Sequence, residues 1–162
     1  MSSNISLATS EDKEEILALY KSQLGRPFCM WDEHYPTKED IDYDLSRDAL
    51  IIKKDENGRI IAAISIDLDE NVNNLSCWSS ELAPGGELSR LAVSIDYQNR
   101  GIAREMLVYG MQELKRRSYK SIHFLVNKDN IKAIKSYEHL DFNKVGDCYL
   151  YEQSFWCYEK AL

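Results

Sequence analysis

Residues 87–114 read ELSRLAVSIDYQNRGIAREMLVYGMQEL, and the rest of the chain is organised around them. Glu87 to Val93 is a short, mostly apolar run of the kind that forms a buried strand. Ser94 to Arg100 is a polar turn, closed by Gly101. Beyond it Ala103, Met106, Leu107, Gly110, Met111 and Leu114 recur at helical spacing, with Arg104, Glu105, Gln112, Glu113, Lys115 and Arg116 on the other face. The stretch therefore predicts a strand, a glycine turn and the open start of a long helix. Amides in the first turn of such a helix lack intrahelical partners, and the positive end of the macrodipole lies behind them. A loop that folds its own amides round the same point makes a cradle for phosphate. Gly101 has no Cβ, so backbone can approach an anion closely there, and Ala103 keeps the next approach nearly open.

Composition bounds what the rest can be. A length of 162 residues suits a single domain, 1–162, with a sizeable core. Hydrophobic content of 44% and charged content of 29% are those of an ordinary soluble globular protein. The longest apolar run, Ile60 to Ile66, is interrupted by Ser65 and is too short to span a bilayer, so no membrane partner is expected. Met1 to Asn4 lacks the basic and apolar regions of a signal peptide. Cys29, Cys77, Cys148 and Cys157 sit at wide spacings without a C-x-x-C pair, which predicts no metal site, no disulfide framework and a cytoplasmic location. A net charge of −7 is the wrong sign for gripping nucleic acid.

Outward from the central stretch, Asn4 to Ala8 predicts a first short strand. Thr9 or Ser10 caps a helix with Ile16, Leu19 and Tyr20 inward, ended by Gly25 and Pro27. Phe28 to Tyr35 is a connection rich in aromatics and acids. Thr37 to about Arg47 predicts a second helix with Ile41 and Leu45 inward. Ala49 to Lys53 and Ile60 to Asp67 are strands joined through the hairpin signal Asn57-Gly58. Leu68 to Gly86 reads as polar and irregular, a length that marks a functional or mobile connection. Ser121 to Val126 is a strand, Asn130 to about Leu140 a helix, and Lys144 to Glu152 and Ser154 to Lys160 are closing strands. The order β-α-α-β-β-β-α-β-α-β-β predicts an α/β fold (an α+β mixed sheet) with helices on both faces.

Two motifs carry a family resemblance. Gln98-Asn99-Arg100-Gly101-Ile102-Ala103 fits Gln/Arg-x-x-Gly-x-Gly/Ala, and Asn130 to Phe142 fits Asn-x-x-Ala-x-x-x-Tyr-Glu-x-x-Gly-Phe. Together they resemble the GNAT superfamily of acetyl-CoA-dependent N-acetyltransferases over nearly the whole chain. One departure is Asp141, which stands where the family has a helix-ending glycine. Aspartate tolerates that left-handed position at modest cost. The resemblance implies a GNAT acyl-CoA N-acyltransferase fold, acetyl-CoA as cosubstrate, and direct transfer of acetyl to a primary amine.

It also implies roles. Gln98, Asn99, Arg100, Gly101, Ile102, Ala103 and Arg104 would hold the pyrophosphate. Leu91, Ala92 and Val93 would offer main chain to the pantetheine amides and the reacting carbonyl, where a bulge splays the central strand. Asn130 would contact the pantetheine arm and Tyr137 would lie near the sulfur, about 10 Å apart along one helix face. Read alone, Asn130 is a helix cap and Tyr137 a core aromatic. Glu87 matches the position of a catalytic base acting through a water, with a solvated strand-end carboxylate as the bland alternative. Tyr137 is the candidate acid or merely fixes the sulfur. His34, His123 and His139 have no partner at diagnostic spacing.

The acceptor is expected to be a small cationic metabolite. Trp31, Tyr35, Trp78, Glu81 and Trp156 are the candidate substrate-binding residues, because aromatic faces and carboxylates attract cations. A protein N-terminal or lysine acetyltransferase with a peptide acceptor is the first alternative, and a non-catalytic acetyl-CoA-binding module the second. A homodimer stays open.

Overall fold

A computed structural model describes residues 4–27 and 29–162 of the chain; Met1, Ser2, Ser3 and Phe28 lie outside the described residues. The architecture is mixed α/β, with a seven-stranded sheet in the order β1-β2-β3-β4-β5-β7-β6. Strands β1 (Ile5–Leu7), β2 (Leu50–Lys54) and β3 (Ile60–Asp67) precede the central β4 (Gly85–Val93), and β5 (Ser121–Asn127), β6 (Asn143–Leu150) and β7 (Gln153–Ala161) follow. β4 and β5 run parallel, whereas β1–β2, β2–β3, β5–β7 and β6–β7 are antiparallel. The helices are α1 (Lys13–Lys21), α2 (Lys38–Ser46), α3 (Glu70–Asn73), α4 (Ile102–Arg116) and α5 (Ile131–His139). The chain forms two compact units, Met1–Asp67 with Leu88–Gly110, and Leu68–Glu87 with Met111–Leu162.

In the first unit α1 follows a 3₁₀ turn, Ser10–Asp12, in which the Thr9 amide donates to the Asp12 carboxylate at 2.9 Å. α2 starts on a reciprocal cap: the Thr37 hydroxyl accepts from the Asp40 amide, and the Thr37 amide donates to the Asp40 carboxylate at 2.8 Å. Ile16, Leu19, Tyr20 and Ile41 then bury their faces with Leu50, Ile52, Ala63 and Ala92. The stripe expected on the central helix is shifted at its start. Ile102, not Ala103, is buried, and Ala103 is exposed. Ile102 lies four residues before Met106, so it heads the same buried row. Gly110 is required by closeness, since a Cβ there would sit 2.7 Å from the Leu88 side chain.

In the second unit the connection after β3 is less irregular than its composition predicts. Asp69 caps α3 by accepting from the Asn71 amide at 3.0 Å, and Val72 is buried. β4 begins at Gly85, two residues before the predicted start, because Gly85 and Gly86 pair with Ser121 and Ile122. These glycines allow close packing: a Cβ on Gly86 would meet Leu114 at 2.6 Å, and one on Gly85 would meet His123 Nδ1 at 2.7 Å. Asp141 ends α5 at φ 65°, the left-handed conformation expected of it.

Candidate active site

The loop predicted to cradle phosphate lies in the first unit. After β4 the chain makes a 3₁₀ turn, Ile95–Tyr97, passes Asn99 at φ 61° and Gly101 at φ 76°, and enters α4. Nothing lies within 4 Å of where a Gly101 Cβ would be, so glycine is needed there for its backbone angle rather than for space. The Gln98 side chain turns back to donate to the Val93 carbonyl at 2.8 Å. That carbonyl also accepts from Gln23 at 3.0 Å and from Arg26 at 3.2 Å. The Tyr97 hydroxyl donates to Asp55 on the β2–β3 turn, and Arg59 reaches Asp96. The loop is thus held from both sides. Arg100, over the Tyr97 ring, and Arg104 remain exposed beside the first-turn amides, a local positive field in an acidic protein.

Leu91, Ala92 and Val93 complete β4 beyond Arg90, which has φ 50° inside the strand. A left-handed non-glycine residue there is the local geometry of a bulge. Its side chain is buried: Nη2 donates to both Asp44 oxygens at 2.8 and 2.9 Å, and Nη1 donates to Asp67 at 3.1 Å and to the Tyr35 hydroxyl at 3.0 Å. Asp44 also accepts from Ser65 at 2.7 Å and Arg47 at 2.8 Å. Sequence reading missed this network. Its signal was a carboxylate, Asp44, three residues after Ile41 on the inward stripe of α2, and an arginine inside an apolar strand.

The second unit holds the proposed acid–base residues. Glu87, 6% exposed, stands opposite His123 at the last of the three pairs joining β4 and β5. His123 in turn stands opposite Glu159, so three titratable side chains share a row across β4, β5 and β7. His123 stacks on Trp78 with ring centroids 4.5 Å apart, and its Nε2 lies 2.9 Å from Asn73 Oδ1. Burial lowers its pKa to about 4, so the ring is neutral at pH 7. Glu159 accepts from the Ser79 amide and hydroxyl, at 3.0 and 2.7 Å. These contacts fasten the 68–84 connection onto the strands beneath it.

Tyr137 lies on α5 with its ring against Phe124 at 4.5 Å and Phe142 at 5.9 Å. Burial pushes its phenol up to about 12. Asn130 caps α5 by accepting from the Ala133 amide at 3.2 Å. The aromatic candidates are partly engaged within the chain. Trp31 meets Tyr20 edge-on at 5.5 Å, Trp78 donates to the Val72 carbonyl, and Trp156 has Lys128 and Lys144 each 4.1 Å from its ring. Tyr35 and Glu81 are exposed.

A model of the acetyltransferase (GNAT) family matches residues 11–142. The chain belongs to the GNAT acetyltransferase family. No curated protein matches the sequence. Among solved structures, the ribosomal-protein-S18-alanine N-acetyltransferase from Escherichia coli is 18% identical with a TM-score of 0.73, covering 99% of this chain and 94% of that one. The NatC complex bound to Gag peptide and CoA has a chain 18% identical with a TM-score of 0.74, covering 100% and 99%. The yncA structure from Salmonella typhimurium with its cofactor acetyl-CoA is 14% identical with a TM-score of 0.74, covering 100% and 95%. At these identities the likeness is one of fold. Among the described residues of this acetyltransferase, no helix is long and apolar enough to cross a membrane.

Proposed function

We propose that this GNAT N-acetyltransferase moves acetyl from acetyl-CoA directly to a primary amine of a small cationic molecule. The observation that carries the cosubstrate reading is the pair of left-handed residues, Asn99 and Gly101, leading into α4 with Arg100 and Arg104 exposed beside its first-turn amides. Backbone donors of Gly101 to Arg104 take the pyrophosphate, and the two guanidiniums add charge. Gln98 acts indirectly, by holding the loop to Val93. Leu91 or Ala92 donates an amide hydrogen to the acetyl oxygen as it becomes negative. Asn130 binds the pantetheine arm.

An alkylammonium, with pKa near ~10, must lose a proton before it can attack. Glu87 takes that proton through a water. The Tyr137 phenol, protonated throughout the neutral range, gives its proton to the departing thiolate. The cationic preference is supported by the exposed acids Asp32, Glu33, Glu70, Glu81 and Glu152 in the acceptor-side segments, with Tyr35 among them. Asp67, Trp78, Trp156 and Glu159 add less to it, because the chain already occupies them.

The test is thiol release from acetyl-CoA over matched cationic, neutral and anionic amines and short peptides, at low and high salt. Cationic small amines are expected to lead by about two- to fivefold in kcat/KM, the worth of one exposed cation–π contact, with the lead shrinking as salt rises. A preference for anionic amines or for peptide N-termini overturns the acceptor class. Binding of acetyl-CoA without thiol release for any acceptor would make the chain a binding module.

A further inference from the structure

We infer that Arg90 is a positioning residue for acetyl transfer: its buried clamp on Asp44, Asp67 and Tyr35 holds the kink in β4 that aims the Leu91 amide. The inference rests on the proposal that this segment of β4 donates to the acetyl oxygen.

The kink is a real departure from strand geometry. A regular strand alternates faces with a period of two, so Leu88, Arg90 and Ala92 would share one face. Instead Leu88 closes against Gly110 of α4, while Ala92 joins the cluster formed by α1 and α2. Arg90 at φ 50° supplies the change of face. A left-handed φ turns the chain about the Arg90 N–Cα bond and interrupts the regular alternation there, the local change by which a bulge frees main chain from a ladder.

A left-handed arginine costs about 1–2 kcal/mol and persists only where its surroundings over-determine it. The surroundings here do so. The guanidinium is 9% exposed with its residue, meets fully buried Asp44 as a fork, and spends its remaining Nη1 on Asp67 and the Tyr35 hydroxyl. Asp67 is fixed in turn by Ser89 Oγ, which donates to it at 2.9 Å. Bonds thus reach the residue before Arg90 and the side chain of Arg90 itself. Planar fork geometry is specific to arginine, so lysine would keep the charge but not the aim. Tyr35 ends the acid- and aromatic-rich connection before α2, so the clamp also sets the position of a residue placed on the acceptor side.

An ion pair that only stabilised the fold would not separate kcat from KM. The experiment compares wild type with Arg90→Lys and with the double variant Arg90→Met/Asp44→Leu. The double variant removes the two fully engaged charges together, and leaves Asp67 its bond from Ser89 and Arg47 its bond to the Ile66 carbonyl. Each is assayed for kcat, for KM of acetyl-CoA, and for the ¹⁵N resonance of the Leu91 amide with acetyl-CoA and with CoA. In wild type the Leu91 amide is expected to respond to acetyl-CoA beyond its response to CoA. The double variant should lose that extra response and about ten- to a hundredfold in kcat, with KM for acetyl-CoA within about twofold. Arg90→Lys should lie between the two, and it carries the test if the double variant does not fold. A folded variant that keeps both its kcat and the Leu91 response overturns the inference. A wild-type Leu91 and Ala92 that do not distinguish acetyl-CoA from CoA would instead overturn the donor assignment itself, and the positioning role with it.

Discussion

In the proposed mechanism Glu87 and Tyr137 divide the proton chemistry. Glu87 is nearly buried at the end of a short parallel ladder, beside a histidine that stays neutral at working pH. Glu87→Gln should lower kcat about a hundredfold or more at pH 7 and leave the KM of acetyl-CoA alone. Activity should recover as pH approaches the amine pKa near ~10, where the acceptor deprotonates unaided. Equal activity of parent and variant at each pH would place the base elsewhere, with Glu33 and Glu81 the next to test. Tyr137→Phe removes only a hydroxyl and keeps the ring contacts with Phe124 and Phe142. Its Tm should barely move while kcat falls, and an unchanged kcat would reduce Tyr137 to a packing residue.

Among elements, the loop between β4 and α4 permits the cleanest separation of shape from charge. CoA should stabilise the protein by about 2.7 kcal/mol at a hundredfold excess over its dissociation constant. A side chain at residue 101 meets open space, so Gly101→Ala tests backbone strain alone and should cost about 1 kcal/mol of folding stability. Gly101→Glu adds a negative charge at the same point and should abolish the CoA-dependent shift; an undiminished shift would remove the loop from the cosubstrate site. This loop was legible in the sequence because its signals are local: a strand, a polar turn, one glycine, then helical spacing. Strand Ile60–Asp67 and the helix expected from Thr37 to about Arg47 were legible for the same reason. Residues 68–86 were not, because Asn73, Trp78 and Ser79 find their partners on distant strands. Arg90 and Asp44 are 46 positions apart, and no periodicity joins them. Only Arg90's place in an apolar strand, and Asp44's three residues after Ile41 on the inward stripe of α2, hinted at a partner.

For the whole molecule, acid stability reports on His123. A net charge of −7 and a pI near 5.0 mean that general self-repulsion relaxes as pH falls from 7 toward 5. His123 works against that trend. Its folded pKa is lowered to about 4 by burial, while the unfolded side chain titrates near 6.5. Between those values the unfolded chain binds a proton that the folded protein refuses, so stability falls with falling pH over that window. The loss approaches roughly 3 kcal/mol at its lower end if the full shift is expressed. Glu113 acts lower down: hydrogen bonds from Arg116, with Arg117 beside it, bring its pKa to about 2, so its contribution disappears only as pH falls from 4.5 toward that value. The two effects are therefore separable by pH. His123→Asn removes the titration along with the stack on Trp78, which should lower Tm throughout. The diagnostic quantity is the slope: between pH 6.5 and 4.5 the variant should lose less Tm than the parent. Parallel curves across that range would mean that the ring can charge in place, and the burial assigned to His123 would not be what governs its titration.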